Sequence, residues 1–137
     1  MINNLNLVES DNENNPKGLN NITVDKLDKI TNNFVSHIDC ICLDAFESEQ
    51  RKKVLIMIHH KLCINGTLTL KCINLDLLAN KIEKGEMTGE KFSETLPNIK
   101  SIWSEIEIND VLAQLPCKIL NIYYDHIYTI VKLEKTQ

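Results

Sequence analysis

The chain has 137 residues, 43% of them hydrophobic and 25% charged, which is enough apolar side chain for one core and too little length for a second domain. Its formal net charge of -4 leaves no broad basic field, which disfavours nucleic acid as a partner. The longest apolar stretches, around Val54 to Ile58 and Ile127 to Val131, fall far short of the roughly 20 residues that a membrane-spanning helix needs.

The opening residues, Met1-Ile2-Asn3-Asn4-Leu5, carry no basic stretch followed by an apolar one, so no secretory leader is expected and the reading is a cytoplasmic protein. In that compartment the five cysteines are expected as free thiols, and their odd number argues against a closed disulfide framework. Asn21-Ile22-Thr23 and Asn65-Gly66-Thr67 then count as chance glycosylation triplets. The chain is rich in Asn, Ile and Lys and poor in Ala, Gly and Pro, a bias that fits an AT-rich genome, viral ones included.

Leu5-Asn6-Leu7-Val8 is a candidate first strand, and the polar run Glu9 to Lys17 has almost nothing to bury and reads as an exposed loop. A second short strand is expected within Gly18 to Val24, and a short helix or turn within Val24 to Asn33. Ile38-Asp39-Cys40-Ile41-Cys42-Leu43 reads as a central parallel strand covered on both faces. From Glu49 to Leu62, Val54, Leu55, Ile58 and Leu62 share one helical stripe, while Arg51, Lys52, Lys53 and His60 lie mostly elsewhere. Asn65-Gly66 is expected to stop that helix, with a strand over Thr67 to Ile73. Asp76 to Lys84 reads as a helix buried through Leu77, Leu78 and Ile82 and closed by Gly85. Thr88 to Leu96 is a further short helix, and Ser104 or Asn109 caps a third that ends before Pro116. Lys118 to Tyr124 and Ile127 to Glu134, separated by Asp125-His126, predict an antiparallel hairpin. Strands alternating with helices describe a single α/β domain over residues 1–137.

Several of these segments resemble the small class I S-adenosylmethionine-dependent methyltransferases. Ile38 to Leu43 is similar to the family's fourth strand, and Lys61 to Leu70 to its leader and fifth strand. Ile73-Asn74-Leu75-Asp76-Leu77-Leu78 resembles the segment that follows, and Lys100-Ser101-Ile102-Trp103-Ser104 the one before the last helix. The resemblance implies a three-layer Rossmann-like methyltransferase fold, with a mostly parallel sheet and a C-terminal antiparallel hairpin. It also implies S-adenosylmethionine as cofactor and no metal. In the family the first strand runs into a Gly-x-Gly loop, where the backbone must come close to the cofactor. Here Val8-Glu9-Ser10 stands in that place, and Thr23 stands where the family has the acid for the ribose hydroxyls, with Asp25 two residues late.

The candidate cofactor-binding residues are therefore Glu9, Ser10, Asp25 and Asp44. Asp44 follows the carboxyl end of the presumed central strand, where open α/β sheets bind ligands, and capping the next helix is its equally good alternative role. Glu9, Asp11 and Glu13 would repel an anionic ligand and tolerate a sulfonium, or they form a solvated loop. Cys40-x-Cys42 places two thiols on one strand face and reads as core, not as a zinc site. His59-His60 point about 100° apart on a helix and read as a solvated face. Trp103, Tyr123, Tyr124 and Tyr128 are candidates for an interaction surface; at most one of Tyr123 and Tyr124 can face the core.

Losing the cofactor loop removes the positioning on which methyl transfer depends. The sequence thus reads as a methyltransferase-like pseudoenzyme that binds a protein partner or its own kind. The rival reading is an active methyltransferase with an atypical loop, in which main-chain amides of Ser10 to Asn12 and the carboxylates of Asp25 and Asp44 hold the cofactor.

Overall fold

The computed structural model describes residues 2–8, 21–95 and 99–137. The run from Glu9 to Lys17, and with it Glu9 and Ser10, lies outside the described residues. The elements are β1 (Leu5–Val8), β2 (Asn21–Thr23), α1 (Val24–Leu27), β3 (Val35–Cys40), a 3-10 turn (Leu43–Ala45), α2 (Ser48–Lys61), β4 (Leu62–Ile73), α3 (Leu75–Glu83), α4 (Gly89–Thr95), α5 (Glu105–Ala113), β5 (Cys117–Asp125) and β6 (Tyr128–Lys135). The strands form one sheet in the order β2-β1-β3-β4-β6-β5. β1 to β4 run parallel, and β6 is antiparallel to both β4 and β5.

Side chains alternate between the two faces of a strand, so the register turns sequence pattern into continuous rows. One row runs Ile22, Leu7, Cys40, Leu70, Val131, Ile122 across all six strands, and a second runs Leu5, Ile38, Leu68, Leu133, Ile119. These rows meet Leu27 of α1, Val54, Leu55 and Ile58 of α2, and Val111 and Leu112 of α5 in the main core. The other face carries a polar row, Asn21, Asn6, Asp39, Thr69, Lys132, Asn121. At its end a second apolar cluster joins Ile73 of β4 to Leu78 of α3, Met87 and Ile127. Helices thus lie on both faces of the sheet.

Several boundaries differ from the sequence reading, each for a local reason. β3 covers Val35–Cys40 instead of starting at Ile38, because buried Val35 already pairs with Leu62. Cys42 is therefore past the strand, at the start of the 3-10 turn, although it is buried as expected of a core cysteine. The helix over 48–61 ends at Lys61, and Leu62 opens β4 with no loop between. Asn65-Gly66 does not stop the helix. It lies in a bulge where the pairing jumps from Val35 with Leu62 to His37 with Thr67. Asn65 takes φ 67° there, and a Cβ on Gly66 would stand 2.7 Å from the Cys63 carbonyl oxygen, so only glycine fits without a shift of the main chain.

α3 buries Leu78, while Ile82 faces outward, since the helix meets only the small second cluster. Gly85 closes it with φ 73°, as the sequence predicts. Ser104 caps α5 in a reciprocal box with Glu107. The hairpin turns through His126-Ile127, one residue later than expected. Ile127 is fully buried in the second cluster and its carbonyl accepts from Asn74 N at 2.8 Å, which takes it out of the ladder. Buried Lys135 on β6 donates to the carbonyls of His59 and Leu62 and to Asn33 Oδ1, at 2.8, 3.0 and 2.8 Å, which satisfies an ammonium in the interior. Among the described residues no helix is long and apolar enough to cross a membrane.

Candidate functional site

The connection from β1 goes to β2 on one side, and the next connection crosses back to β3 on the other, so the order of the strands reverses at β1. In open α/β sheets ligands bind outside the carboxyl ends of the strands at such a point. Here that position is beyond Val8 and Cys40. Thr23 and Asp25 stand at the end of β2 beside it, and Ile41 to Asp44 follow the end of β3. Of the four cofactor-site candidates, Glu9 and Ser10 belong to the undescribed stretch after β1, while Asp25 and Asp44 stand at two strand ends with β1 between them.

The two aspartates have opposite environments. Asp25 is exposed in the first turn of α1, and a hydrogen bond with the Thr23 side chain holds its carboxyl below the usual range. Asp44 is buried within the 3-10 turn. Its Oδ2 accepts from Ile73 N at 3.0 Å, and its carbonyl accepts from Lys100 N at 2.8 Å and Ser101 N at 3.3 Å. Burial pushes the Asp44 carboxyl up to about 7, with the Ile73 N–H and the Arg51 guanidinium pulling the other way. The group thus ties the turn after β3 to the end of β4 and to the 99–101 segment. It does not cap α2, whose N-cap residue is Glu47.

Beside it lies Arg51, which the helical stripe placed mostly outside the core and which is only 3% exposed. Its guanidinium carbon sits 4.2 Å from the centre of the Trp103 ring. Nη2 donates to Ser48 Oγ at 3.3 Å, and Nε and Nη1 have no partner. Burial lowers its pKa, against the pull of Glu107 and Asp44. Trp103, one of the candidates for an interaction surface, is instead one of the largest fully buried side chains. Above this stack, α2 and α5 flank a cleft of about 330 Å³ lined by Ser48, Glu49, Arg51, Trp103, Glu107 and Asp110.

The sequence reading missed two polar groups. Asn74, buried at the end of β4, accepts from Asp76 N and Leu77 N and donates to Glu105 Oε2 at 2.7 Å and Thr129 Oγ1 at 2.8 Å. Glu105 Oε1 in turn accepts from the Tyr124 hydroxyl at 2.8 Å, so one chain of bonds joins β4, α3, α5, β5 and β6. An Asn before Leu75-Asp76 is a cap signal that was available in the sequence. On the same face as the polar row, His37 Nδ1 lies 2.6 Å from Thr67 Oγ1 and Nε2 lies 2.9 Å from Asp39 Oδ1. This hydroxyl–imidazole–carboxylate chain runs across the paired strands β3 and β4. His59 is also buried, with Nε2 2.9 Å from the Pro116 carbonyl, so only His60 fits a solvated face. Among the described residues, no group of three or more His, Cys, Asp or Glu is placed to hold a metal ion.

No protein-family model matches the chain, and no curated protein matches it at a significant level. Solved structures do. A SAM-dependent methyltransferase from Archaeoglobus fulgidus superposes with TM-score 0.66 at 9% identity, over 98% of this chain and 86% of that one. A SAM-dependent methyltransferase from Thermotoga maritima gives 0.66 at 10%, over 98% and 82%. An O-methyltransferase family protein from Burkholderia thailandensis gives 0.62 at 12%, over 85% and 36%. The chain spans between 36% and 45% of the length of several larger matched proteins. At such identities the likeness defines the fold alone, and the fold is that of the class I SAM-dependent methyltransferases.

That fold makes S-adenosylmethionine the cofactor to test against the residues present. Asp25 offers an accessible carboxylate at the end of β2, whereas the carboxylate at the end of β3, Asp44, is turned inward onto Ile73. Among the described residues this donor set is an incomplete fit.

Proposed function

We propose that the chain is a methyltransferase-like scaffold that transfers no methyl group and works by binding protein, either a second copy of itself or an assembly. The observation that carries this reading is the commitment of Asp44. A carboxylate at the ligand-binding edge is buried and spent on the Ile73 amide, where it braces the sheet. The sequence supports it further, since Val8-Glu9-Ser10 replaces the glycines that would let a cofactor approach β1. The half-exposed tyrosines of β5 supply surface for a partner.

Isothermal calorimetry with S-adenosylmethionine and S-adenosylhomocysteine tests the proposal, and no heat with either is expected. Micromolar binding, about -8 kcal/mol, would overturn it. The reading favoured would then be an active enzyme in which the exposed carboxylate of Asp25 contacts the cofactor, and Asp25→Ala would weaken that binding without lowering the melting temperature.

A further inference from the structure

β5 is the last strand of the sheet, and its outer edge pairs with none of the described residues. Natural sheets cover or charge such an edge. This one carries Ile119 and Leu120, each 42% exposed, together with Tyr123 at 48% and Tyr124 at 53%. The register with β6 puts Tyr123 on the face of Asn121 and Asp125, and Tyr124 on the face of Ile122. Apolar side chains therefore protrude on both sides of a single edge strand. A groove-binding helix would cover one side only, whereas an added strand covers both.

We infer that the chain pairs antiparallel with a second copy of itself along β5, joining two six-stranded sheets into one. This names the partner within the protein-binding reading above. The argument is the self-complementarity of the strand. After a bulge at Leu120, residues 121–125 pair regularly with β6 and are free of irregularity. A two-fold axis through Tyr123 sets Tyr123 against Tyr123 of the second copy, Ile122 against Tyr124, and Asn121 against Asp125. Every pair then joins residues on the same face, as antiparallel pairing demands. The pairs are aromatic with aromatic, aliphatic with aromatic, and amide with carboxylate, combinations that stabilise cross-strand neighbours.

Charge supports the same register. Lys118 pairs with Glu134 and Asn121 with Lys132, so the bulge leaves Lys118 two ladder positions beyond Asn121 on the same face. Asp125 of the second copy, opposite Asn121, is then the diagonal neighbour of Lys118, about 7–8 Å between Cβ atoms and within reach of a lysine. The axis makes that ion pair twice.

The size of the surface sets the expected strength. Four half-exposed side chains of this kind cover roughly 350 Å² per copy, against about 800 Å² per partner in a standard interface. The strand edge and its polar residues add to that figure, which leaves the pair at the small end of the range. A reversible dimer in the micromolar range is expected.

Sedimentation velocity over a concentration series tests the inference on the full chain. The wild type is expected to shift from monomer to dimer, and Tyr123→Lys, which sets two like charges on the axis, to weaken the association at least tenfold with unchanged circular dichroism and melting. A second arm gives a positive signal. With Tyr123→Cys, opposite Cα atoms about 4.5–5.5 Å apart suit a disulfide, and mild oxidation should link two chains. Asn121→Cys should not link, because its own copy lies four residues along the ladder, about 13 Å away. A wild type that remains monomeric at millimolar concentration overturns the inference. So does a dimer untouched by Tyr123→Lys, or equal linking of the two cysteine variants. The methyl-donor titration is independent of these outcomes. A dimer that binds S-adenosylmethionine would sink the non-catalytic reading alone, and a monomer that ignores it would sink this inference alone.

Discussion

Replacing Asp44 with Asn separates the bracing role of this side chain from its charge. The amide oxygen can still accept from Ile73 N, which now reaches Asp44 Oδ2 at 3.0 Å, but the group no longer ionises. The carboxyl ordinarily titrates at 3.8, and burial raises it to about 7 in the fold. A raised acid favours its protonated form in the native state, so its contribution is whole below 3.8 and is lost as pH climbs through about 7. Each pH unit of that interval is worth about 1.36 kcal/mol, which over roughly three units comes to a loss on the order of 4 kcal/mol. Urea unfolding of both proteins from pH 4 to pH 9 measures it. The variant is expected to match the wild type within about 1 kcal/mol at the acid end and to exceed it by up to that loss at the basic end. Parallel stability curves over the whole range would refute the reasoning, because they would mean that Asp44 ionises in the fold as easily as in water.

Arg51→Met replaces a buried cation whose Nε and Nη1 lack partners with a flexible apolar chain of similar length, still seated on Trp103. It is expected to leave stability unchanged or raise it by about 1–2 kcal/mol in the same assay, and a clear loss would show that the guanidinium is better satisfied than its geometry indicates. Gly66→Ala sets a Cβ 2.7 Å from the Cys63 carbonyl oxygen and 3.2 Å from that of Ser36. Main-chain atoms cannot step aside cheaply there, so a cost of about 1–3 kcal/mol in thermal unfolding is expected.

Periodicity made the sheet and its hairpin legible, because alternation along Leu5-Asn6-Leu7, Ile38-Asp39-Cys40 and Leu68-Thr69-Leu70 continues across strands as the two apolar rows. Cap chemistry was equally readable at Ser104 and Gly85. What single-residue polarity concealed was burial by tertiary partners. Arg51 and His59 look solvated on a helix, yet one stacks on Trp103 and the other meets the Pro116 carbonyl from a distant segment. Asn65-Gly66 carries the same residues as a helix stop, and only the pairing of Val35 with Leu62 reveals a bulge. The candidate site was half legible. Asp44 stands out in the sequence by its place after a strand, but the Ile73 amide that captures its carboxylate is 29 residues away.

The position of β6 bears on how the sheet can assemble. It is the last of the six strands to be synthesised and lies between β4 and β5, so β5 has no neighbour in the sheet until β6 inserts. On the ribosome the nascent hairpin must clear the exit tunnel before the apolar rows of β1, β3 and β4 extend to their full width. Until then β4 leaves open the seven-residue edge from Thr67 to Ile73 that β6 later pairs with, the kind of transient surface that chaperones shield.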